Sequence, residues 1–133
     1  MRTFLIHFHQ TVAPIILVLG AIFLLTGLAL VFVTRRDIAE LARVAWLRTI
    51  FRVFMWLTAA GGVVQAVLGA LLLSQGLRPK EGLHFVYGLI VLAAIPVAFV
   101  YSDQKKVRAD IIIMTIAAAA IVGAAVRAMM TGQ

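Results

Sequence analysis

Histidine is the residue type in this chain that offers the clearest chemistry, because a neutral imidazole can bind a metal ion through one ring nitrogen. The chain has three histidines, His7, His9 and His84. His84 follows a short charged turn, residues 76–82, and heads an apolar run, whereas His9 lies just ahead of another such run. Ionisable side chains are rare in long apolar runs and are functional candidates by default. His9 and His84 are therefore the candidate ligands.

Other kinds of chemistry are poorly represented in the sequence. There is no cysteine, which excludes thiolate metal sites, iron–sulfur clusters and disulfides from this chain. No nucleophile is paired with a base, and no carboxylate pair or phosphate-binding loop is present. All five acidic residues are expected in loops, whereas a proton pump or ion-coupled transporter normally needs one within a membrane span. These residues are Asp37, Glu40, Glu81, Asp103 and Asp110.

The elements that must position the histidines are four apolar runs, residues 12–33, 53–73, 84–101 and 111–130. Hydrophobic residues make up 64% of the chain, against roughly half in a soluble domain. Each run is close to the ~20 residues that cross a ~30 Å hydrocarbon layer as a helix. We therefore predict an all-α fold, a four-helix transmembrane up-down bundle, that forms a single integral membrane domain over residues 1–133.

Local signals place the helix boundaries. The predicted helices cover residues 10–34, 51–75, 79–102 and 110–130, with an amphipathic interfacial segment over residues 35–50. Gly76 is expected to cap the end of the second helix. Pro79 suits the first turn of the third helix, and Asp110 suits the N-cap of the fourth.

The basic residues predict an orientation in the membrane. The formal net charge is +7, but the basic residues lie at helix ends, which is typical of membrane proteins and gives no reason to expect a nucleic-acid partner. Eight of them surround the first and third loops: Arg35, Arg36, Arg43, Arg48, Arg52, Lys105, Lys106 and Arg108. The other side has four: Arg2, Arg78, Lys80 and Arg127. Loops one and three are therefore expected in the cytoplasm and both termini outside, most simply in a bacterial inner membrane.

Helical periodicity predicts which side chains face the bundle interior. At 100° per residue, His9 shares a face with Ala13, Ile16, Gly20, Phe23 and Gly27, whereas His7 points away from it. In the second helix Gly62 and Gly69 belong to a stripe of small residues, and Gln65 lies nearby at mid-membrane depth. The amide of Gln65 needs a hydrogen-bond partner, which is either a neighbouring helix or a ligand such as a quinone.

The two interior histidines predict a heme site. In an up-down bundle the first and third helices are parallel and diagonal, so His9 and His84 reach similar depth from opposite corners. That is the arrangement in which two imidazoles ligate a b-type heme. Gly20, Gly69 and Gly88 would make room for the macrocycle. Arg78, Lys80 and Arg127 would bind the propionates at the aqueous edge.

A known family has a similar segment. The run Gln65-Ala66-Val67-Leu68-Gly69-Ala70-Leu71-Leu72-Leu73, followed by a short turn and Leu83-His84, resembles the segment before a histidine in one half of heme A synthase. Each half of that family is a four-helix bundle with two inward histidines. The resemblance implies that His9 and His84 occupy the heme-ligand positions of this chain.

The sequence therefore predicts a small membrane-bound b-type cytochrome or heme-bearing subunit that transfers electrons near the outer leaflet, rather than a stand-alone enzyme. One alternative is a cofactor-free accessory subunit that packs against a larger respiratory or photosynthetic membrane complex or against a second copy. Another is a histidine that ligates a chlorophyll-type pigment. A third is a copper or zinc site formed by His7, His9 and His84, which requires residues 7–9 to be extended. The sequence leaves open whether the histidines meet within one subunit.

Overall fold

The structure, a computed structural model, describes residues 1–34, 40–102 and 105–132. The described residues form five helices: α1 (Arg2–Val33), α2 (Glu40–Arg43), α3 (Ala45–Ser74), α4 (Leu83–Tyr101) and α5 (Val107–Thr131). α1, α3, α4 and α5 are each long and apolar enough to cross a membrane. The prediction of an all-α fold with four such helices is therefore confirmed. Residues 35–39 of the predicted interfacial segment lie outside the described residues.

The first residues of the helices differ from the predicted ones. α1 begins at Arg2, so His9 lies inside the helix and not ahead of it. α3 begins at Ala45, so residues 45–50 of the predicted interfacial segment belong to this helix. The apolar runs mark only the most apolar part of each helix. At 1.5 Å per residue the 30 residues of α3 extend about 45 Å, more than the ~30 Å thickness of a hydrocarbon layer.

The predicted starts of the third and fourth apolar helices are wrong. Pro79 lies in the turn before α4, which begins at Leu83, so His84 belongs to the first helical turn. Its backbone N–H donates to the Glu81 carbonyl at 3.1 Å. α5 begins at Val107, and the Asp110 N–H donates to the Lys106 carbonyl at 3.0 Å. Asp110 is therefore part of the helix and not its N-cap, and its carboxylate binds neighbouring helices.

The end of α3 follows the prediction for Gly76. This residue has a φ of +78°, a conformation that glycine adopts without the steric cost of a Cβ. The Leu77 N–H donates to the Leu72 carbonyl at 3.1 Å, and the Gly76 N–H donates to the Leu73 carbonyl at 2.9 Å. These two bonds form a Schellman motif, which satisfies carbonyls that the helix end leaves free. The chain can then turn within a few residues towards α4.

The core lies where α1 packs against α3 and α5. Ile16, Gly20, Phe23 and Gly27 are all buried, so the predicted interior face of α1 is confirmed. α5 contributes the most buried surface, much of it alanine, and short side chains allow helices to approach closely. α4 packs mainly against α5 and less extensively against α3. The buried apolar residues also include Phe51, Met55, Val91, Ile95, Ile111, Met114, Ala118 and Ile121.

Gly27 marks the closest approach between helices and gives a test of the packing. A Cβ on Gly27 would overlap the Thr115 hydroxyl and would lie 2.8 Å from Phe51 Cε2. Thr115 cannot rotate away without losing its 2.7 Å bond to the Ile111 carbonyl. We expect Gly27→Ala to lower the free energy of unfolding by about 1–3 kcal/mol, as overpacking does.

The matched control is Gly123→Ala in α5, where a Cβ would meet no atom within 4 Å. This change should be neutral or should stabilise the helix by up to about 1 kcal/mol, because alanine has the higher helix propensity. Thermal unfolding in detergent, followed by circular dichroism, measures both. Equal effects of the two substitutions would contradict the packing at Gly27.

Candidate histidine site

His9 of α1 and His84 of α4 lie side by side. Their ring centroids are 6.1 Å apart, and the ring planes are inclined by 55°. Both side chains are partly buried, whereas His7 is exposed. α1 and α4 each pack mainly against other helices, so the two imidazoles meet across the bundle. The structure therefore brings together, within one chain, the two histidines that the sequence singles out.

The orientation of His84 is fixed by the end of α5. Its Nδ1 lies 2.9 Å from the Ala128 carbonyl oxygen. A carbonyl can only accept, so Nδ1 carries the proton and donates, which leaves the lone pair on Nε2 outside this bond. The ring also packs against Gly132, where a Cβ would lie 2.8 Å from both Cε1 and Nδ1. A backbone acceptor and a glycine thus set the tautomer and the position of this imidazole.

The orientation of His9 is fixed by Gln65 of α3. The Gln65 amide nitrogen donates to the His9 carbonyl at 3.1 Å and lies 3.3 Å from His9 Nε2. Gly69, one turn further along α3, lies against the same ring, where a Cβ would be 3.7 Å from Cε1. Each imidazole is therefore contacted at one nitrogen by a neighbouring helix. An amide nitrogen can only donate, so the contact at His9 uses the Nε2 lone pair and places the proton on Nδ1. To bind a metal ion through Nδ1, His9 would need the other tautomer, with the proton on Nε2 and the Gln65 oxygen facing it.

Two buried polar atoms at this site have no hydrogen-bond partner among the described residues, His9 Nδ1 and Gln65 Oε1. An unpaired buried polar atom costs about 1–3 kcal/mol, so such atoms are rare in a stable protein. They are found where a bound group supplies the missing contact. A bound group would supply the missing contacts, and exchange of the oxygen and nitrogen of the Gln65 amide would pair Oε1 with His9 Nε2–H.

The distance between the two imidazoles matches both two rings in ordinary contact and two ligands of a single metal ion. With metal–nitrogen bonds of about 2 Å on opposite sides of the ion, the ring centroids stand about 6 Å apart. Among the described residues, no three His, Cys, Asp or Glu side chains are grouped closely enough to hold a metal ion. α1 is helical at residues 7–9, so the copper or zinc site with His7 is not formed.

The glycines predicted to line the site lie in different places. Gly69 touches His9, and Gly88 lies one turn after His84 in open space, where a Cβ would meet no atom within 4 Å. Gly20 packs instead against α5, where a Cβ would lie 3.5 Å from the side chains of Ile121 and Val122. It is about 16 Å along α1 from His9. The prediction that Gly20 makes room beside the imidazoles disagrees with this placement.

The predicted cations lie at the same end of the molecule as the histidines but do not contact them. Arg78 and Lys80 are exposed in the turn between α3 and α4. Arg127 is also exposed, and its guanidinium carbon lies 5.8 Å from the centroid of the Tyr87 ring. Because Arg127 precedes Ala128, which binds His84, it lies beside the site. All three side chains are exposed, with Arg127 beside Tyr87, so an anionic group at this edge of the molecule would be accessible to them.

Sequence reasoning missed the Ala128 carbonyl and Gly132, since a backbone acceptor and a contact at a helix end leave no signal in residue type. It identified Gln65 as an amide in need of a partner but did not connect it with His9. No protein family model, curated protein or solved structure matches the chain. The functional inference therefore depends on the geometry of the two imidazoles.

Proposed function

We propose that this protein is a membrane-embedded, b-type heme-binding bundle that transfers electrons, with His9 and His84 as the axial ligands. The observation that supports this most directly is that two partly buried imidazoles from α1 and α4 lie side by side at one end of the bundle, with ring centroids 6.1 Å apart. The tautomer of His84, which leaves the Nε2 lone pair outside the bond to Ala128, adds independent support.

The residues present fit a heme. A heme b supplies a one-electron redox centre, whose potential depends on its axial ligands, their hydrogen bonds and burial. The Ala128 carbonyl accepts from His84, a contact that makes the imidazole a stronger ligand. Gly69 lies against the His9 ring without a side chain, and Gly88, one turn after His84, is exposed and would not obstruct a flat macrocycle. Arg78, Lys80 and Arg127 would pair with the propionates. With both histidines bound to it, the iron would have no position open for a small substrate, which favours electron transfer.

The proposal includes an up-down bundle that spans the membrane. His84 at the start of α4 contacts Ala128 at the end of α5, and Ser102 after α4 contacts Asp110 at the start of α5. His9 early in α1 contacts Gln65 late in α3. Each pair of neighbouring helices thus runs in opposite directions. With the basic loops one and three in the cytoplasm of a bacterial cell, the histidine site lies near the outer leaflet.

The visible absorption spectrum of the protein purified in mild detergent tests this function. We expect a Soret band that shifts on reduction with dithionite, and tight stoichiometric binding when heme is added to protein prepared without it. A helical, monodisperse protein that stays colourless and binds no added heme would overturn the proposal. That result would favour the cofactor-free accessory subunit.

Gln65 gives a finer test, because its amide contacts both the carbonyl and the Nε2 atom of His9, the proposed ligand. We expect Gln65→Leu to weaken heme binding about tenfold, since residues that orient a metal ligand typically contribute 10–100-fold to affinity. The matched control is Gln10→Leu, the same change at an exposed position next to His9. Heme titration followed at the Soret maximum measures both affinities. Equal affinities for the two variants would contradict a positioning role for Gln65.

A further inference from the structure

An open groove runs along α3, from the end of the molecule far from the histidines towards the middle of the helix. Its first part, the head section, has a volume of about 620 Å³ and is lined by Arg48, Thr49, Arg52 and Trp56, with small apolar residues around them. Its second part, the tail section, has a volume of about 490 Å³ and lies between α3 and α4. Trp56 lines both sections, so they form one continuous surface.

The head section is positively charged. Arg52 forms an ion pair with the buried Asp110, while Arg48 lies one turn earlier on the same face of α3 and is exposed. Two arginines against one carboxylate leave one net positive charge. A guanidinium presents several N–H donors in a plane and binds phosphate particularly well. The head section therefore suits an anionic group that contains a phosphate.

The tail section suits a hydrocarbon chain. Its lining residues are all apolar or aromatic and include Trp56, Ala60, Val63, Pro96 and Phe99. From Arg52 to Val63 the helix rises about 16 Å, since eleven residues contribute 1.5 Å each. Half of a ~30 Å hydrocarbon layer is about 15 Å. A molecule with its head at Arg52 and its chain along the tail section would therefore reach the middle of the bilayer.

We propose that this groove binds one anionic phospholipid, with its phosphate at Arg48 and Arg52 and one acyl chain along Ala60, Val63 and Pro96. The exposed ring of Trp56 lies at the junction, the level at which indoles favour the membrane interface. A symmetric contact with a second copy would bring the same arginines together, and their repulsion disfavours it. The proposal rests on the proposed membrane insertion and is independent of heme binding.

Native mass spectrometry of the detergent-solubilised protein tests the lipid site. Phosphatidylglycerol and phosphatidylcholine with the same acyl chains are titrated in parallel, and the affinity of each is measured. We expect phosphatidylglycerol to bind more tightly, and Arg48→Gln to weaken it about fivefold, the contribution of one basic residue near a membrane surface. Arg108→Gln removes an exposed charge of α5 that does not line the groove, and it should leave the affinity unchanged.

A second variant probes the tail section without touching a charge. Ala60→Phe fills the exposed apolar groove and should also weaken phosphatidylglycerol binding, whereas inorganic phosphate should not compete with the lipid. The proposal is overturned if Arg48→Gln binds like the wild type, if Arg108→Gln loses as much as Arg48→Gln, or if phosphatidylcholine binds equally well. A dimer that excludes the lipid would assign the groove to a second copy. The same lipid titration is also done on protein that contains no heme. Failure of the lipid proposal can then be distinguished from failure of the heme proposal.

Discussion

Replacement of His84 by alanine is expected to abolish the Soret band of the purified protein and to lower its affinity for added heme by about a hundredfold or more. The loss should exceed the 10–100-fold that residues behind a ligand contribute, because the ligand itself is removed. His9→Ala should have an effect of the same size, since the two imidazoles lie 6.1 Å apart and would bind the same iron. Heme titration and the reduced-minus-oxidised spectrum measure these changes.

His7→Ala is the control for these two substitutions. His7 lies two residues before His9 on the same helix but is exposed, so its removal should leave the spectrum unchanged. His84→Ala also loses the bond to the Ala128 carbonyl, which costs roughly 1 kcal/mol, so far-UV circular dichroism and thermal unfolding must show that the variant is folded. Addition of free imidazole to His84→Ala should restore part of the spectrum. A wild-type spectrum in either alanine variant would contradict axial ligation.

The four long helices could be predicted because their cause is visible in the sequence. A helix that crosses a hydrocarbon layer needs about 20 apolar residues to span its thickness. Inside that layer the backbone must satisfy its own hydrogen bonds, and a helix does so. The helix ends were less predictable, because hydrogen bonds in the aqueous zone set them. Pro79 suggested a helix start, but the chain first completes a turn at Gly82 and α4 begins at Leu83. Gly76 was predictable because its left-handed conformation excludes most other residues.

The candidate site was predictable as a pair of side chains but not as a set of contacts. The predicted depth of the two histidines in the bundle, and the helix faces on which they lie, were sufficient to associate His9 with His84. The phase of α1 also brought Gly20 onto the same face, yet that residue lies three turns away and packs against α5. The residue of α5 that lies opposite His84 depends on the lengths of α4 and α5 and of the connection between them. The Ala128 carbonyl and Gly132 were therefore beyond sequence reasoning.

The buried carboxylate of Asp110 was missed because the residue was assigned to a loop. It lies in the first turn of α5, and it accepts hydrogen bonds from Arg52 of α3 and from Ser102, which follows α4. Three long helices are thereby joined at one carboxylate, about 27 Å along α5 from Ala128. An acidic residue in a first helical turn is common, and its burial depends on a partner from another helix.

Removal of Arg52 should destabilise the protein more than removal of Asp110, because the two side chains differ in exposure. The Asp110 side chain is 2% exposed and that of Arg52 is 28% exposed. Arg52→Met leaves a buried carboxylate with Ser102 as its remaining partner, and we expect a loss of about 3–5 kcal/mol, as for other broken buried pairs. Asp110→Asn leaves a partly exposed guanidinium that can turn to water, and it keeps an acceptor for Ser102. Its cost should be nearer 1–2 kcal/mol.

Thermal or denaturant unfolding in a neutral detergent measures both losses, with Arg108→Met as the control for an exposed arginine at the same end. The control should change the free energy of unfolding by less than about 0.5 kcal/mol. The double variant, Arg52→Met with Asp110→Asn, should be more stable than Arg52→Met alone, because the uncompensated charge is gone. That recovery distinguishes an unpaired buried charge from a simple loss of packing around the arginine stem. If the double variant were less stable than the wild type by the sum of the two single losses, the two side chains would act independently, which would contradict the ion pair between Arg52 and Asp110.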